Sequence, residues 1–203
     1  MMTISWSDLV EKIALHREWL RTVGSSGQQL RLESADLSGI ELSGENFIEA
    51  FLPGVRFDGA ILRGSDFGRA NLASASFAAA DLVGADFTKA NCDYADFKRG
   101  SLRGVRGFRA SFAHADFRDA DLADINLFRA FLQDARLENA SMERANLELA
   151  SLTGAWLAGV RLRGAQGVAS VIAARIYTGP GEDSKIEGKA ALDWLIGSAE
   201  ERQ

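Results

Sequence analysis

Large apolar residues return at every fifth position along most of this chain. Stepping by five from Leu32 to Leu162 gives 27 centres, 16 of them Leu and 8 Phe, with Cys92, Gly107 and Met142 completing the set. Two residues before the centre, 18 of the 27 positions are Ala. The residue between is mostly Asp, Asn, Ser, Glu or Arg, and Gly recurs two residues after the centre, as at Gly39, Gly54 and Gly84. Neither the helical period of 3.6 nor the strand period of 2 accounts for this spacing. In a short extended segment, a centre and the residue two before it face the same side, and the polar residue between them faces the other. The chain must then turn before the next quintet, and glycine two after the centre suits that corner because it tolerates positive φ. The pattern therefore predicts a coil of short straight segments that stacks on itself around one apolar core.

Ala80-Asp81-Leu82, Ala85-Asp86-Phe87, Ala90-Asn91-Cys92 and Ala95-Asp96-Phe97 run in succession. They resemble the A-(D/N)-L-x-x pattern of the pentapeptide-repeat family, and the resemblance covers about residues 30–164. It implies an all-β fold, a right-handed quadrilateral β-helix with four quintets per coil. At about 4.8 Å between stacked strands, somewhat under seven coils make a rod roughly 30 Å long. The core residues offer a check on the four sides. From Phe47 to Phe97 the centres alternate Phe with Leu or Cys. Four sides place Phe on two opposite faces, so each layer mixes large and small side chains and a narrow core fills.

A stacked rod exposes unpaired strand edges at its ends and needs covers there. Residues 1–29 are read as an N-terminal helical cap, 30–164 as the β-helix and 165–203 as a C-terminal cap with a short helix. The stretch SWSDLVEKIALHREWLRT is predicted to be an amphipathic helix, with Ser5 or Ser7 as N-cap and Trp6, Leu9, Val10, Ile13 and Leu20 at helical spacing. Near the other end SVIAARIY reads as a strand and GKAALDWLIGSAEER as a short helix. A homodimer face around Trp194, as in relatives that pair through a terminal segment, is the alternative use of that end. Gly107 is the one centre without an apolar side chain; either Phe108 swings inward to fill the gap, or a local bulge displays Phe108 outward. Cys92, at a core position, reads as a small hydrophobe.

Composition narrows the class. A formal charge of -5 gives no push toward nucleic acid or anionic membranes, and 47% hydrophobic residues fit a folded protein. The single Cys excludes an internal disulfide framework. With no apolar run near the ~18 residues that span a bilayer and no signal-like start, a bacterial cytoplasmic protein away from membranes is expected.

Candidate chemistry is sparse. If coils take twenty residues, side chains twenty apart stack in ladders, one of which runs Ser74, Tyr94, His114, Asp134. A His beside an Asp suggests acid–base work, yet a convex rod offers no cleft to exclude water. TGPGEDSKIEGKA lacks the spacing of a phosphate-binding loop. No catalytic, cofactor or metal residue is assigned. A second ladder runs Glu49, Arg69, Lys89, Arg109, Arg129, with Phe108 and Phe128 beside it and Phe131 around the corner. The plain reading is a solvated face partly neutralised by Asp66 and Asp86. The functional reading is a protein-binding patch of Arg69, Lys89, Phe108, Arg109, Phe128, Arg129 and Phe131, since stacked like charges are unfavourable. The expected function is a non-enzymatic interaction scaffold with an unidentified protein partner, and nucleic acid is not expected. The alternative, from a branch of the family, is a duplex-DNA mimic that binds DNA gyrase or another type II topoisomerase. Residues 31–164 hold 19 acidic and 16 basic residues, a net of -3, which weakens mimicry.

Overall fold

A computed structural model describes residues 4–200 of the chain. Most of it is a stacked β-helical solenoid. Residues twenty apart form parallel bridges in unbroken succession, from Arg31 with Phe51 to Asn146 with Gln166. Each coil therefore takes four quintets. The bridging residue is the one before each centre, polar in most quintets, and the turn that follows closes through a hydrogen bond such as Ala70 N–H to the Phe67 carbonyl at 3.0 Å.

One quintet shows why the five-residue unit is self-consistent. Of the amides in residues 65–69, those of Asp66, Phe67 and Arg69 donate to the coils below and above, at 2.9, 2.7 and 2.9 Å, and that of Ser65 closes the preceding turn at 3.2 Å. The fifth, on Gly68, lies in the turn, where no carbonyl reaches it. The Asp66 carboxylate accepts it at 2.8 Å. Asn71, Asp86, Asn91, Asp96 and Asn126 serve the amides two residues after them in the same way. The Asp/Asn preference is thus the need to satisfy a backbone donor, beyond merely facing water. Where Ser76 and Ser111 stand in that position, Asp58 and Asp93 of the coil before reach up to Ala78 N–H and Ala113 N–H, each at 3.1 Å.

Centres and the residues two before them fill the axis. Leu62, Phe67, Leu72 and Phe77 are fully buried, as expected from the pattern. Phe47, Phe67 and Phe87 stack on one face at centroid spacings of 4.9 and 5.0 Å. Phe57, Phe77, Phe97 and Phe117 stack on another at 5.1, 5.0 and 4.9 Å. The two columns meet edge to face, as Phe67 and Phe77 do at 5.9 Å, a favoured aromatic geometry. Ser65, replacing Ala in the core, donates its hydroxyl to the Leu42 carbonyl at 2.8 Å. Cys92 is buried, and burial pushes its thiol well up.

Gly107 follows neither expected course. The bridges on both sides of it keep their register, so no bulge forms, and Phe108 stays half-buried on the outside. The missing volume is taken by Leu127 and by Phe112, which replaces a smaller residue on the next face; an added Cβ would lie 2.9 Å from Leu127 Cδ2 and 3.3 Å from Phe112 Cε2.

The N-terminal helix, α1, spans Trp6–Arg21, and the Ser5 hydroxyl caps it by accepting from Asp8 N–H at 3.1 Å. Its buried face is Leu9, Ile13 and His16, while Trp6 and Val10, read from the sequence as apolar-face residues, are 60% and 46% exposed. His16 was the unexpected member: its Nδ1 accepts Leu30 N–H, at the start of the first coil, at 3.0 Å. At the other end the stacking runs past residue 164 with one extra residue, bridging Ser151 to Ile172 and Trp156 to Tyr177. The expected strand over SVIAARIY is shorter: a 3-10 turn takes Val168–Ser170, and β1 spans only Arg175–Tyr177, antiparallel to β2 at Lys185–Glu187. The difference follows from the bridges, since Ile172 and Tyr177 must each reach a separate rung. The closing helix α2 spans Gly188–Glu200, with Ala191, Leu195 and Ala199 buried. Glu201 and Arg202, included in the sequence reading of that helix, lie outside the described residues, as do residues 1–3 and 203 of the two terminal segments. No described helix is long and apolar enough to cross a membrane.

Candidate protein-docking edge

The corner residue two after each centre is held in the left-handed region. Glu49, Arg69, Lys89, Arg109 and Arg129 have φ of 58, 57, 60, 54 and 58°. Glycine would be less strained there, so each charged side chain is carried at a conformational cost. Their positions twenty apart on a bridged rod bring the five into one column, Glu49 half-buried and the four cations exposed.

Charge along that column is uneven. Arg69 pairs with Glu49 at 3.1 Å. Among the described residues, Lys89, Arg109 and Arg129 make no ion pair, whereas the neighbouring cations Arg103 and Arg106 do, at 3.3 Å to Asp121 and 2.8 Å to Asp86. Among the described residues Arg31, Arg99 and Arg161 of the rod also make no ion pair, each outside this column. The expected neutralisation by Asp66 and Asp86 does not reach the column: Asp66 serves the Gly68 amide, and Asp86 serves Thr88 N–H and Arg106. Burial pushes the Asp86 carboxyl up, but the Thr88 hydrogen bonds and the Arg106 guanidinium outweigh it and hold it below the usual range.

Aromatic rings flank the cations. Phe108 and Phe128 stack at 5.6 Å with planes 12° apart. The Arg109 guanidinium lies over Phe108 at 5.1 Å and that of Arg129 over Phe128 at 5.2 Å. Such cation–π contacts pre-orient the guanidiniums without neutralising them. Phe131, around the corner, is 47% exposed. Further down the same face Gly68 interrupts the side-chain column between Ile48 and Thr88, leaving an open notch of about 250 Å³ bordered by Asp66, Arg69 and Asp86. The structure thus gathers the seven sequence-predicted patch residues along one edge, with Arg69 already paired. The sequence reading missed the notch, although Gly68 breaks a column of larger residues, and it missed which cations are free.

The other ladder is a surface stack. Tyr94 and His114 lie parallel at 4.7 Å, but Tyr94 is 63% exposed and Asp134 turns to Arg175 at 3.5 Å. Among the described residues no hydrogen bond holds the His114 ring as a base would need. Among the described residues no group of three or more His, Cys, Asp or Glu side chains converges on a point that could hold a metal ion.

A family model described as pentapeptide repeats matches the chain in eight copies, over residues 29–64, 65–104, 108–144 and 132–166. No curated protein matches the chain. Among solved structures, a trypsin-treated form of QnrB1, a plasmid-mediated fluoroquinolone resistance protein, is 18% identical; the match covers 83% of this chain and 96% of that one, with a TM-score of 0.44. HetL, involved in heterocyst differentiation regulation in the cyanobacterium Nostoc sp. strain PCC 7120, is 20% identical over 82% of this chain and 98% of its own, with a TM-score of 0.30. A pentapeptide repeat protein from the Arabidopsis thaliana thylakoid lumen is 32% identical over 64% and 70%, with a TM-score of 0.21. With eight matched copies laid over an unbroken series of bridged twenty-residue coils, this chain belongs to the pentapeptide-repeat family.

Proposed function

We propose that this protein is a non-enzymatic interaction scaffold that docks an acidic surface of a protein partner on the edge from Arg69 to Phe131. The observation that carries the reading is the run of Lys89, Arg109 and Arg129, three cations that make no ion pair among the described residues and share one exposed column. Desolvated arginine beside aromatic rings is a favoured make-up for protein-binding surfaces. In this reading residues 30–164 form a right-handed, four-sided rod, and residues 1–29 and 165–203 close its ends. Burial of Leu9, Ile13 and Leu195, and the half-buried packing of Trp194 against the core, support end covers over a dimer face. A cytoplasmic setting suits the single buried cysteine. Mimicry of DNA for a topoisomerase would need a dominant negative surface, and a column of free cations argues against it.

The test is an Arg109→Glu/Arg129→Glu double variant. Cross-linked capture of the partner from native cells is expected to fall away while the circular dichroism melt stays within a few degrees of the parent. Capture unchanged by the double reversal would reduce the column to solvated surface.

A further inference from the structure

Above Arg129 the corner column changes character. Leu149 occupies the next rung with φ 56° and is 38% exposed. A bulky apolar side chain in the left-handed region, pointing outward, gains little burial to offset its strain. Two more exposed apolar residues flank it: Phe131, and Ile172, which is 58% exposed and lies two rungs above Phe131 through the bridges to Ser151. The edge is therefore basic from Lys89 to Arg129, and at its upper end Phe131, Leu149 and Ile172 add exposed apolar surface beside the exposed carboxylate of Glu148. The two parts rest on different observations, unpaired cations in one and strained, exposed hydrophobics in the other.

The spacing of the rungs selects the shape of what fits. Stacked rings put successive coils 4.9 to 5.1 Å apart. One turn of α-helix advances about 5.4 Å, so acidic residues three or four apart keep pace with three successive cations. Same-side residues of an extended strand are about 6.7 Å apart and fall out of step by the third rung. Duplex DNA offers phosphates to cations but nothing to an apolar end.

We infer that the occupant of this edge is an acidic amphipathic helix lying along the rod, with carboxylates over Lys89, Arg109 and Arg129 and an apolar end on Phe131, Leu149 and Ile172. This inference rests on the docking reading above. The contact is small, so the complex is weak, in the micromolar range typical of small interfaces.

The experiment uses the full chain and a fluorescent synthetic helix of about 16 residues, long enough to follow the edge. The peptide carries Glu at one-turn intervals on one face and Leu at one end. A proline-broken peptide of matching composition and a short DNA duplex serve as comparison probes, all read by anisotropy at low salt. The helix is expected to bind at micromolar concentration and the broken peptide at least about tenfold more weakly, as the ordering of its residues is lost. Arg109→Glu/Arg129→Glu should weaken helix binding by more than about tenfold. Leu149→Gly, which suits the backbone at that corner, should weaken it by about three- to tenfold with the fold intact. Equal binding of helical and broken peptides overturns the inference, as does binding of the duplex in preference to the helix. If the double reversal abolishes partner capture but the helix does not bind, the helical occupant fails and the docking edge stands. If capture is unchanged, both fail.

Discussion

The lower coils, with centres from Leu42 to Phe97, and the upper coils, with centres from Leu122 to Leu157, share one backbone and differ in their cores. Each lower layer holds two Phe and two smaller residues, as in Leu62, Phe67, Leu72 and Phe77. The upper layers hold only Leu and Met at their centres, and Ile125 replaces the usual Ala in one of them. Both halves keep the twenty-residue bridge as far as Asn146 with Gln166. The coil is therefore set by backbone pairing, while the side chains need only fill each layer. The layer of Leu102, Gly107, Phe112 and Phe117 shows the rule at work. It keeps two Phe by moving one from the Gly107 face to the next, and the ring leans across the gap. What is selected is the content of a layer, more than the residue at each site.

The strongest way to break that comparison is through the aromatic half. Phe77→Asp should abolish folding of the lower coils, because a buried unpaired carboxylate costs several kcal/mol. Loss of the β signal by circular dichroism is the expected result. Truncation sharpens the comparison: Phe77→Ala is expected to cost about 3–5 kcal/mol and Leu132→Ala about 2–5 in urea unfolding. A Leu132→Ala cost above that of Phe77→Ala would mean the ring columns add nothing to the lower half.

Gly107→Ala tests the layer rule directly. Its Cβ would crowd Leu127 and Phe112, costing about 1–3 kcal/mol by overpacking. No measurable change would show that the layer is loose.

Acid is expected to separate the halves by a smaller amount. Burial lowers the His16 pKa, and the Leu30 amide donates to its Nδ1. The unfolded chain then takes up the proton first, so the contribution of His16 is intact above about pH 6.5 and is lost as pH falls toward its folded pKa. Hydrogen exchange at pH 5.5 should open α1 and the first coil ahead of the upper coils; uniform opening would contradict it. The smallest effect belongs to Asp81→Ala. It removes the acceptor of Val83 N–H and the partner of Arg63 on a solvated face, for about 1 kcal/mol.

The repeats were open to reading because each quintet repeats the same local problem. Leu62 or Phe77 at a centre needs burial, and Gly59 or Gly64 at a corner needs positive φ, wherever in the rod they stand. The candidate patch was visible as a set of residue types twenty apart. Its charge state was not, because Asp66 and Asp86 could as well have turned toward Arg69 and Lys89 as toward the Gly68 and Thr88 amides. His16 is hidden for the same reason: helical spacing names Leu9 and Ile13 along with Trp6 and Val10, and only docking on the first coil turns Leu9, Ile13 and His16 inward and leaves Trp6 and Val10 exposed.

By itself, then, the sequence determined the five-residue unit, the apolar axis and the residues that line it, since these follow from local period and burial. Tertiary structure alone decided which cations remain unpaired, how Phe112 and Leu127 fill the space at Gly107, and that His16, rather than Trp6 or Val10, joins Leu9 and Ile13 on the buried face of α1. Those outcomes turn on competition among partners brought together by stacking, and a linear pattern holds no measure of that competition.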